Sequence, residues 1–293
     1  MAAKDTMKLL VTGAGGMLGQ SLTPCLQNRG HKVTALPKEE LDVTNMATVK
    51  STLKKLSPDL IVHCAAYTRV DQAESEPALA YLINGYGTEN LAVAAADADI
   101  PVLYVSSDYV FDGEQNHPYT TWDETKPLSI YGKSKLAGEK AIERHLRRFY
   151  IVRTSWLYGP HGANFVDTIT RMAGERDQLR VVSDQMGTPT CTITLSEVLA
   201  DLIASGRFGV YHATDDGVTN WYEFAKEIVK GLPRKVEVIP IDTKDMPRPA
   251  TRPKYSVLDK TTLISTIGRE LVPWRTALAD YLAKKAQAVE AGR

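Results

Sequence analysis

The chain has 293 residues, 43% of them hydrophobic and 24% charged, and its 35 basic residues balance 35 acidic ones; that length suits one large domain carrying a smaller lobe. Zero net charge supplies no field to recruit nucleic acid or an anionic membrane, so an anionic ligand has to be held by local groups. No apolar run approaches the roughly 20 residues that span a bilayer, and three cysteines (Cys25, Cys64, Cys191) are too scattered for a zinc cluster or a disulfide framework, so no metal site is expected and the cytoplasm is the default compartment.

In chain order, Met1 to Met7 is short and polar, with no apolar segment of signal-peptide length, and Met7 reads as an older start. Lys8–Thr12 reads as a buried strand, Gly16–Arg29 as a helix, His31–Leu36 as a strand, Met46–Leu56 as a helix and Leu60–Ala65 as a third strand. A long helix near Glu74–Ala98, a strand Pro101–Ser106, a helix Ser129–His145 and a strand Tyr150–Thr154 follow. Strands separated by helix-length segments predict an α/β fold, a doubly wound parallel sheet with helices on both faces. Cys64 and His63, in an apolar strand, read as core residues.

After Thr154 the pattern loosens, with Gly159, Pro160, Gly162, Gly187 and Pro189 in quick succession. A helix Leu195–Ser205 and a strand Val210–Ala213 read as a return to the sheet. A helix near Trp221–Lys230, a strand near Val236–Pro240, a Pro-rich loop from Pro247 to Pro253 and a last helix from Trp274 complete the chain. The expected division is a first domain over 1–158, with 191–213 returning to it, and a smaller C-terminal α/β substrate lobe from 159–190 and 214–293.

Strand one runs directly into Thr12-Gly13-Ala14-Gly15-Gly16-Met17-Leu18-Gly19. Glycines 13, 16 and 19 give a GxxGxxG spacing between a strand and a helix. Glycine allows the tight turn, the close approach of a pyrophosphate and the packing of helix on strand. The helix start then turns free N–H groups and its positive dipole end toward that anion. Gly13, Gly16, Met17, Leu18 and Gly19 are therefore candidate cofactor-binding residues of a Rossmann-like domain. An acidic tip on strand two would favour NAD. This strand ends Ala35-Leu36-Pro37-Lys38, and Lys38 suits a 2′-phosphate, so NADPH is favoured; Glu39 and Glu40 keep NADH open.

A hydride added to a ketone leaves an alkoxide that needs a proton. Tyrosine can supply it if a cation lowers its pKa from about 10 toward neutrality, a shift worth about 4 kcal/mol. A lysine four residues on lies on the same helix face. Three Tyr/Lys pairs have that spacing: Tyr131/Lys135, Tyr222/Lys226 and Tyr281/Lys285. Only Tyr131 opens a helix following a strand of the sheet edge that carries the glycine turn; the other two read as amphipathic surface pairs. The preceding strand ends Val105-Ser106-Ser107-Asp108-Tyr109, and Ser107 is the hydroxyl chosen to bond substrate carbonyl and tyrosine together, with Ser106 and Asp108 as turn-formers.

Further motifs are Leu41-Asp42-Val43-Thr44, Cys64-Ala65-Ala66-Tyr67-Thr68, Val70-Asp71-Gln72-Ala73-Glu74, Ser107-Asp108-Tyr109-Val110-Phe111-Asp112-Gly113, Tyr131-Gly132-Lys133-Ser134-Lys135, Arg153-Thr154-Ser155-Trp156-Leu157-Tyr158, Asp184-Gln185 and Arg252-Pro253. Through them nearly the whole chain resembles the extended short-chain dehydrogenase/reductases, and within them the dTDP-4-dehydrorhamnose reductases. The resemblance implies that Tyr131 donates the proton and that Lys135 binds the nicotinamide ribose and tunes the tyrosine. Ser107 stands where the family usually has threonine. Asp42 and Val43 would border the adenine, and Ala65, Ala66 and Tyr67 the ribose and phosphates. Thr68, Val70, Tyr109 and Trp156 would face the sugar, with Asn164, Gln185 and Arg252 as further substrate candidates; Arg252 equally suits tying down a loop. The implied reaction reduces the 4-keto group of a dTDP-sugar, dTDP-4-dehydro-L-rhamnose, to dTDP-L-rhamnose. The family often dimerises, so a homodimer is among the expected states, and no carboxylate cluster is assigned to an interfacial metal.

Two alternatives stay open. One is another nucleotide-sugar ketoreductase or an epimerase, which would retain its cofactor through turnover. The other is a non-catalytic cofactor-binding regulatory subunit, as in methionine adenosyltransferase. Absorbance of bound reduced nicotinamide and turnover of NADPH with the keto-sugar separate these readings.

Overall fold

The computed structural model describes residues 6–291, with side chains to 287; the reading of the N-terminal leader falls mostly on residues 1–5, outside them. In chain order the first part contains β1 (Lys8–Thr12), α1 (Met17–Asn28), β2 (Lys32–Leu36), α2 (Met46–Leu56), β3 (Leu60–His63), α3 (Val70–Ala73), α4 (Pro77–Tyr81), a π-helical turn (Leu82–Gly87), α5 (Thr88–Asp97), β4 (Val102–Ser107), α6 (Ile130–His145) and β5 (Phe149–Thr154). There follow β6 (Leu157–Tyr158), α7 (Phe165–Glu175), β7 (Gln178–Val182), β8 (Met186–Gly187), β9 (Thr190–Cys191), α8 (Thr192–Ser205), β10 (Gly209–His212), β11 (Thr219–Asn220), α9 (Trp221–Lys230), β12 (Glu237–Ile241), α10 (Thr261–Ile267) and α11 (Trp274–Ala291).

A six-stranded parallel sheet runs β2-β1-β3-β4-β5-β10, as the Rossmann-like reading expects. Alternate side chains of each strand bury on opposite faces, which is why these strands read as continuous apolar runs. Leu9, Val11 and Val62 pack with Leu22 and Leu26 of α1 and Leu195 and Leu199 of α8. Leu10, Ile61 and Tyr104 face the other way, against Val49 of α2, Leu91 of α5 and Ile142 of α6. The chain reverses its direction of travel across the sheet between β1 and β3, and such a switch point opens a crevice at the carboxyl ends of the strands.

The long helix expected over Glu74–Ala98 is broken. Pro77 restarts it as α4, and the π-helical turn widens it before α5. Asn84 explains that turn: its amide accepts from Tyr67 N at 2.7 Å and donates to Tyr67 O at 3.0 Å and to Ser134 Oγ at 2.9 Å, joining the loop after β3 to α6. In the looser half, α7 and β7 occupy a stretch that the Pro and Gly residues had marked as irregular. There Val166, Ile169 and Ala173 of α7 pack with Phe224 and Ile228 of α9 and Trp274 and Leu278 of α11 in a separate core. β7 pairs with β12 beside it. Tyr281 is no surface residue: it is buried in this core with its hydroxyl donating to Gly159 O at 3.1 Å, and Lys285 pairs with Asp167.

Candidate active site

A cleft of about 790 Å³ opens at the switch point and is the size of a cofactor-and-ligand site. One end is lined by Gly13, Gly15, Gly16, Met17, Leu18 and Gly19. Gly13 has φ +64°, and a Cβ there would stand 2.5 Å from Ala65 Cα, so the turn excludes any side chain. At Gly19 a Cβ would come within 2.7 Å of Ala14 Cα, so that glycine lets α1 seat against the turn. Gly16 caps α1 without a side-chain acceptor, and the first turn of the helix carries no acidic residue. Its N–H groups are thus left for an external anion. Pro37, Lys38, Glu39, Asp42 and Val43 continue the wall, followed by Ala65 and Ala66. Asp42 holds its carboxyl below the usual range through hydrogen bonds from the Thr44 hydroxyl and N–H. These features fit a dinucleotide.

At the other end Tyr131, Lys135 and Ser107 converge on the same cleft. Ser129 places Tyr131 by capping α6, its hydroxyl accepting from Gly132 N at 3.1 Å, and Glu74 accepts from Ile130 N at 2.8 Å. Lys135, one turn on, is buried; its Nζ donates to Val105 O at 2.7 Å and lies 4.1 Å over the Tyr104 ring. Burial draws its pKa down to about 7, with Glu139 acting the other way. Ser107 Oγ donates to Asp108 Oδ1 at 2.9 Å and is also a partner of the Tyr131 phenol.

The phenol differs from the lowered pKa expected of it. Burial pushes Tyr131 up to about 12, outweighing the Ser107 hydrogen bond, and the Asp108 charge adds to the rise. At neutral pH it is held as the acid. Asp108 is more than a turn-former: it is 1% exposed, and burial raises it to about 6 against the hydrogen bonds it takes from Ser256 and Ser107. Behind them lies a buried ion pair, with Arg153 Nη2 donating to Glu139 Oε2 at 2.7 Å and Ser106 also bonded to Glu139. His63 is the satisfied core residue the sequence suggests, bonded to Thr12 and Thr88. Cys64, by contrast, lies past the strand end and lines the cleft, its thiol pushed up to about 12 by burial and so kept unreactive.

Thr68, Val70, Tyr109 and Trp156 line the cleft beside Tyr131, and the Tyr109 and Tyr131 rings meet edge to face at 5.5 Å. Four candidates stand outside the lining. Tyr67 turns its hydroxyl to Glu76, 2.7 Å away. Asn164 caps α7, accepting from Asp167 N at 3.0 Å. Gln185 donates to Thr243 Oγ1 at 2.9 Å. Arg252 forms a two-point ion pair with Asp71, both bonds 2.9 Å, which ties the Pro-rich loop to α3.

Sequence reasoning missed Trp221, Ala163, Thr154 and the positioning residue Asn84. Trp221 lines the cleft and stacks on Trp156 with centroids 3.6 Å apart. Its one local signal is the Asn220-x-x-Glu223 helix start, where Asn220 accepts from Glu223 N at 2.8 Å; nothing in that signal points the helix end at the cleft. Among the described residues no group of three or more His, Cys, Asp or Glu is placed to hold a metal ion, and no helix is long and apolar enough to cross a membrane.

Residues 7–287 match the family described as the RmlD substrate binding domain. The chain is 44% identical over 280 residues to dTDP-4-dehydrorhamnose reductase of Streptomyces griseus, covering 92% of this chain and 91% of that protein. It is 38% identical over 283 residues to the spore coat polysaccharide biosynthesis protein SpsK of Bacillus subtilis, covering 97% of this chain and 99% of that protein. It superposes with a TM-score of 0.92 and 38% identity on dTDP-4-dehydrorhamnose reductase of Bacillus anthracis in complex with NADP, covering 96% of this chain and all of that one.

Proposed function

Since the chain belongs to the RmlD substrate binding domain family, we propose that it is an NAD(P)H-dependent oxidoreductase that reduces the 4-keto group of dTDP-4-dehydro-L-rhamnose to give dTDP-L-rhamnose. The observation that carries this reading is the convergence of Tyr131, Lys135 and Ser107 with the glycine turn on one cleft.

The turn Gly13–Gly19 and the start of α1 would hold the pyrophosphate, Asp42 and Val43 the adenine side, and Lys38 a 2′-phosphate, for which NADPH is the preferred reductant. When bound, the nicotinamide supplies the hydride. Lys135 binds its ribose. Thr68, Val70, Tyr109 and Trp156 hold the sugar with its carbonyl toward Tyr131 and Ser107. The Ser107 hydroxyl bonds the carbonyl oxygen, and the Tyr131 phenol gives its proton to that oxygen as charge develops there. The raised pKa keeps the proton on Tyr131 until the Lys135 ammonium and the new alkoxide make its transfer favourable. The lobe built from 159–190 and the chain after 213 takes the nucleotide-sugar and excludes water. We place the reaction in the cytoplasm, where reduced cofactor is supplied.

The test is a coupled assay: the keto-sugar is generated enzymatically, each reduced cofactor is added in turn, and the product's stereochemistry is determined. Cofactor consumption with formation of dTDP-L-rhamnose is expected. No consumption, or a product epimeric at C4, refutes the reading.

A further inference from the structure

Trp156 leaves the end of β5 with φ +48°, a left-handed backbone conformation in which its Cβ crowds the following carbonyl. Such a residue persists only where its surroundings over-determine it. Three elements of the second lobe do so. Trp221, first residue of α9, lies flat on the Trp156 indole at 3.6 Å and 12°. Gly187 of β8 abuts the ring edge so closely that a Cβ there would stand 2.5 Å from Trp156 Cζ2. β11, paired with β8 through Thr219 and Gly187, delivers the chain straight into Trp221. Behind Trp221 the rings continue inward: Phe165 at 4.6 Å, then Phe224 at 5.5 Å from Phe165, and Trp274 at 5.7 Å from Phe224. Phe224 and Trp274 belong to the buried core of that lobe. The cleft-lining indole that the main sheet supplies is therefore anchored, ring upon ring, to the core of the other lobe.

From this we infer that Trp221 is a positioning residue for the sugar: its stacked indole holds Trp156 in the strained conformation that presents it to the cleft. The inference rests on the reading of the cleft as a nucleotide-sugar site. Trp221 does no chemistry, and its ring partners are Trp156, Phe165 and Phe224, none of them in the glycine turn, so its loss acts on sugar binding and not on the cofactor.

The experiment compares the unchanged chain with Trp221→Leu and Trp221→Phe. Stacked indoles couple their transitions, so the unchanged chain shows an exciton couplet in circular dichroism that Trp221→Leu abolishes. Trp221→Leu raises KM for the keto-sugar about tenfold or more while kcat changes by less than about threefold, and its NADPH Kd stays within about twofold. Trp221→Phe, which keeps a flat ring, recovers most of the KM. If the leucine variant melts below the assay temperature, Trp221→Met fills the volume without a flat face and is read in the same way. An unchanged KM in a folded variant overturns the proposal. So does a parallel loss of sugar affinity, NADPH affinity and melting temperature, which marks a merely structural role. An unchanged chain that fails to consume NADPH with the keto-sugar sinks the functional reading instead; absence of the couplet from that chain then sinks the Trp221 proposal separately.

Discussion

Replacing Tyr131 with phenylalanine removes one oxygen and nothing else from the cleft. The ring keeps its edge-to-face partner Tyr109 at 5.5 Å and its packing against Tyr67, Ala73 and Ala80. Ser107, which loses the phenol, still donates to Asp108 at 2.9 Å, so no buried donor is orphaned and stability changes by no more than about 1 kcal/mol. The glycine turn belongs to other elements, and NADPH binding is expected to stay within about twofold of the parent. Catalysis loses its proton donor. General acids contribute about 10²–10⁴ in rate, so kcat falls at least a hundredfold, about 2.7 kcal/mol of transition-state stabilisation. The measurement is initial-rate loss of reduced-nicotinamide absorbance with saturating keto-sugar, alongside a fluorescence titration of NADPH. A kcat within about threefold of the parent, with cofactor affinity intact, removes Tyr131 from the mechanism.

Four further outcomes are expected. Burial lowers Lys135 from its ordinary 10.5 to about 7, so the ammonium is present below pH 7 and lost above it; kcat/KM declines above about pH 7, and a flat profile from pH 6 to 9 contradicts the assignment. In stability the sign is opposite: the unfolded chain holds the extra proton between about 7 and 10.5, so this site's contribution to stability rises with pH across that window, and Lys135→Met flattens that part of a urea-midpoint profile. Gly13→Ala forces a Cβ to within 2.5 Å of Ala65 Cα at φ +64°; calorimetry should show NADPH affinity weakened at least about tenfold, and unaltered binding would contradict the close fit of turn and loop. Glu139→Gln leaves the Arg153 guanidinium, 6% exposed, without its counter-charge; denaturant unfolding should record a loss of about 3–5 kcal/mol, and a loss under about 1 kcal/mol would mean the pair is not what neutralises that charge.

Much of the first half was legible because its signals are local. Lys8–Thr12 and Met46–Leu56 were read to the residue from the apolar pattern. Tyr131 was separated from Tyr222 and Tyr281 by its place at a helix start after a strand, an argument from chain order. Where a side chain's partner is distant in sequence, that reasoning had nothing to work with. Asn164 and Gln185 looked like ligands of a sugar; they stand outside the cleft lining, where Asn164 accepts from Asp167 N and Gln185 donates to Thr243 Oγ1. Arg252, 181 residues from Asp71, is spent on an ion pair across the loop, the second of the two roles left open for it. Tyr281 carried an amphipathic surface spacing and is buried because Gly159 and Asp167 come to meet it.

Sequence by itself determined the alternation of strand and helix, the glycine turn and the phenol–ammonium pair, since each depends on neighbours a few residues away whose backbone geometry repeats. Only the tertiary structure decided the strand order and its switch point, the π-helical turn that holds Asn84, the raised pKa values of Tyr131 and Asp108, and the stacking of Trp221 on Trp156. Those depend on which faces are buried against one another and how far water is excluded, quantities that exist only once segments distant in the chain have packed.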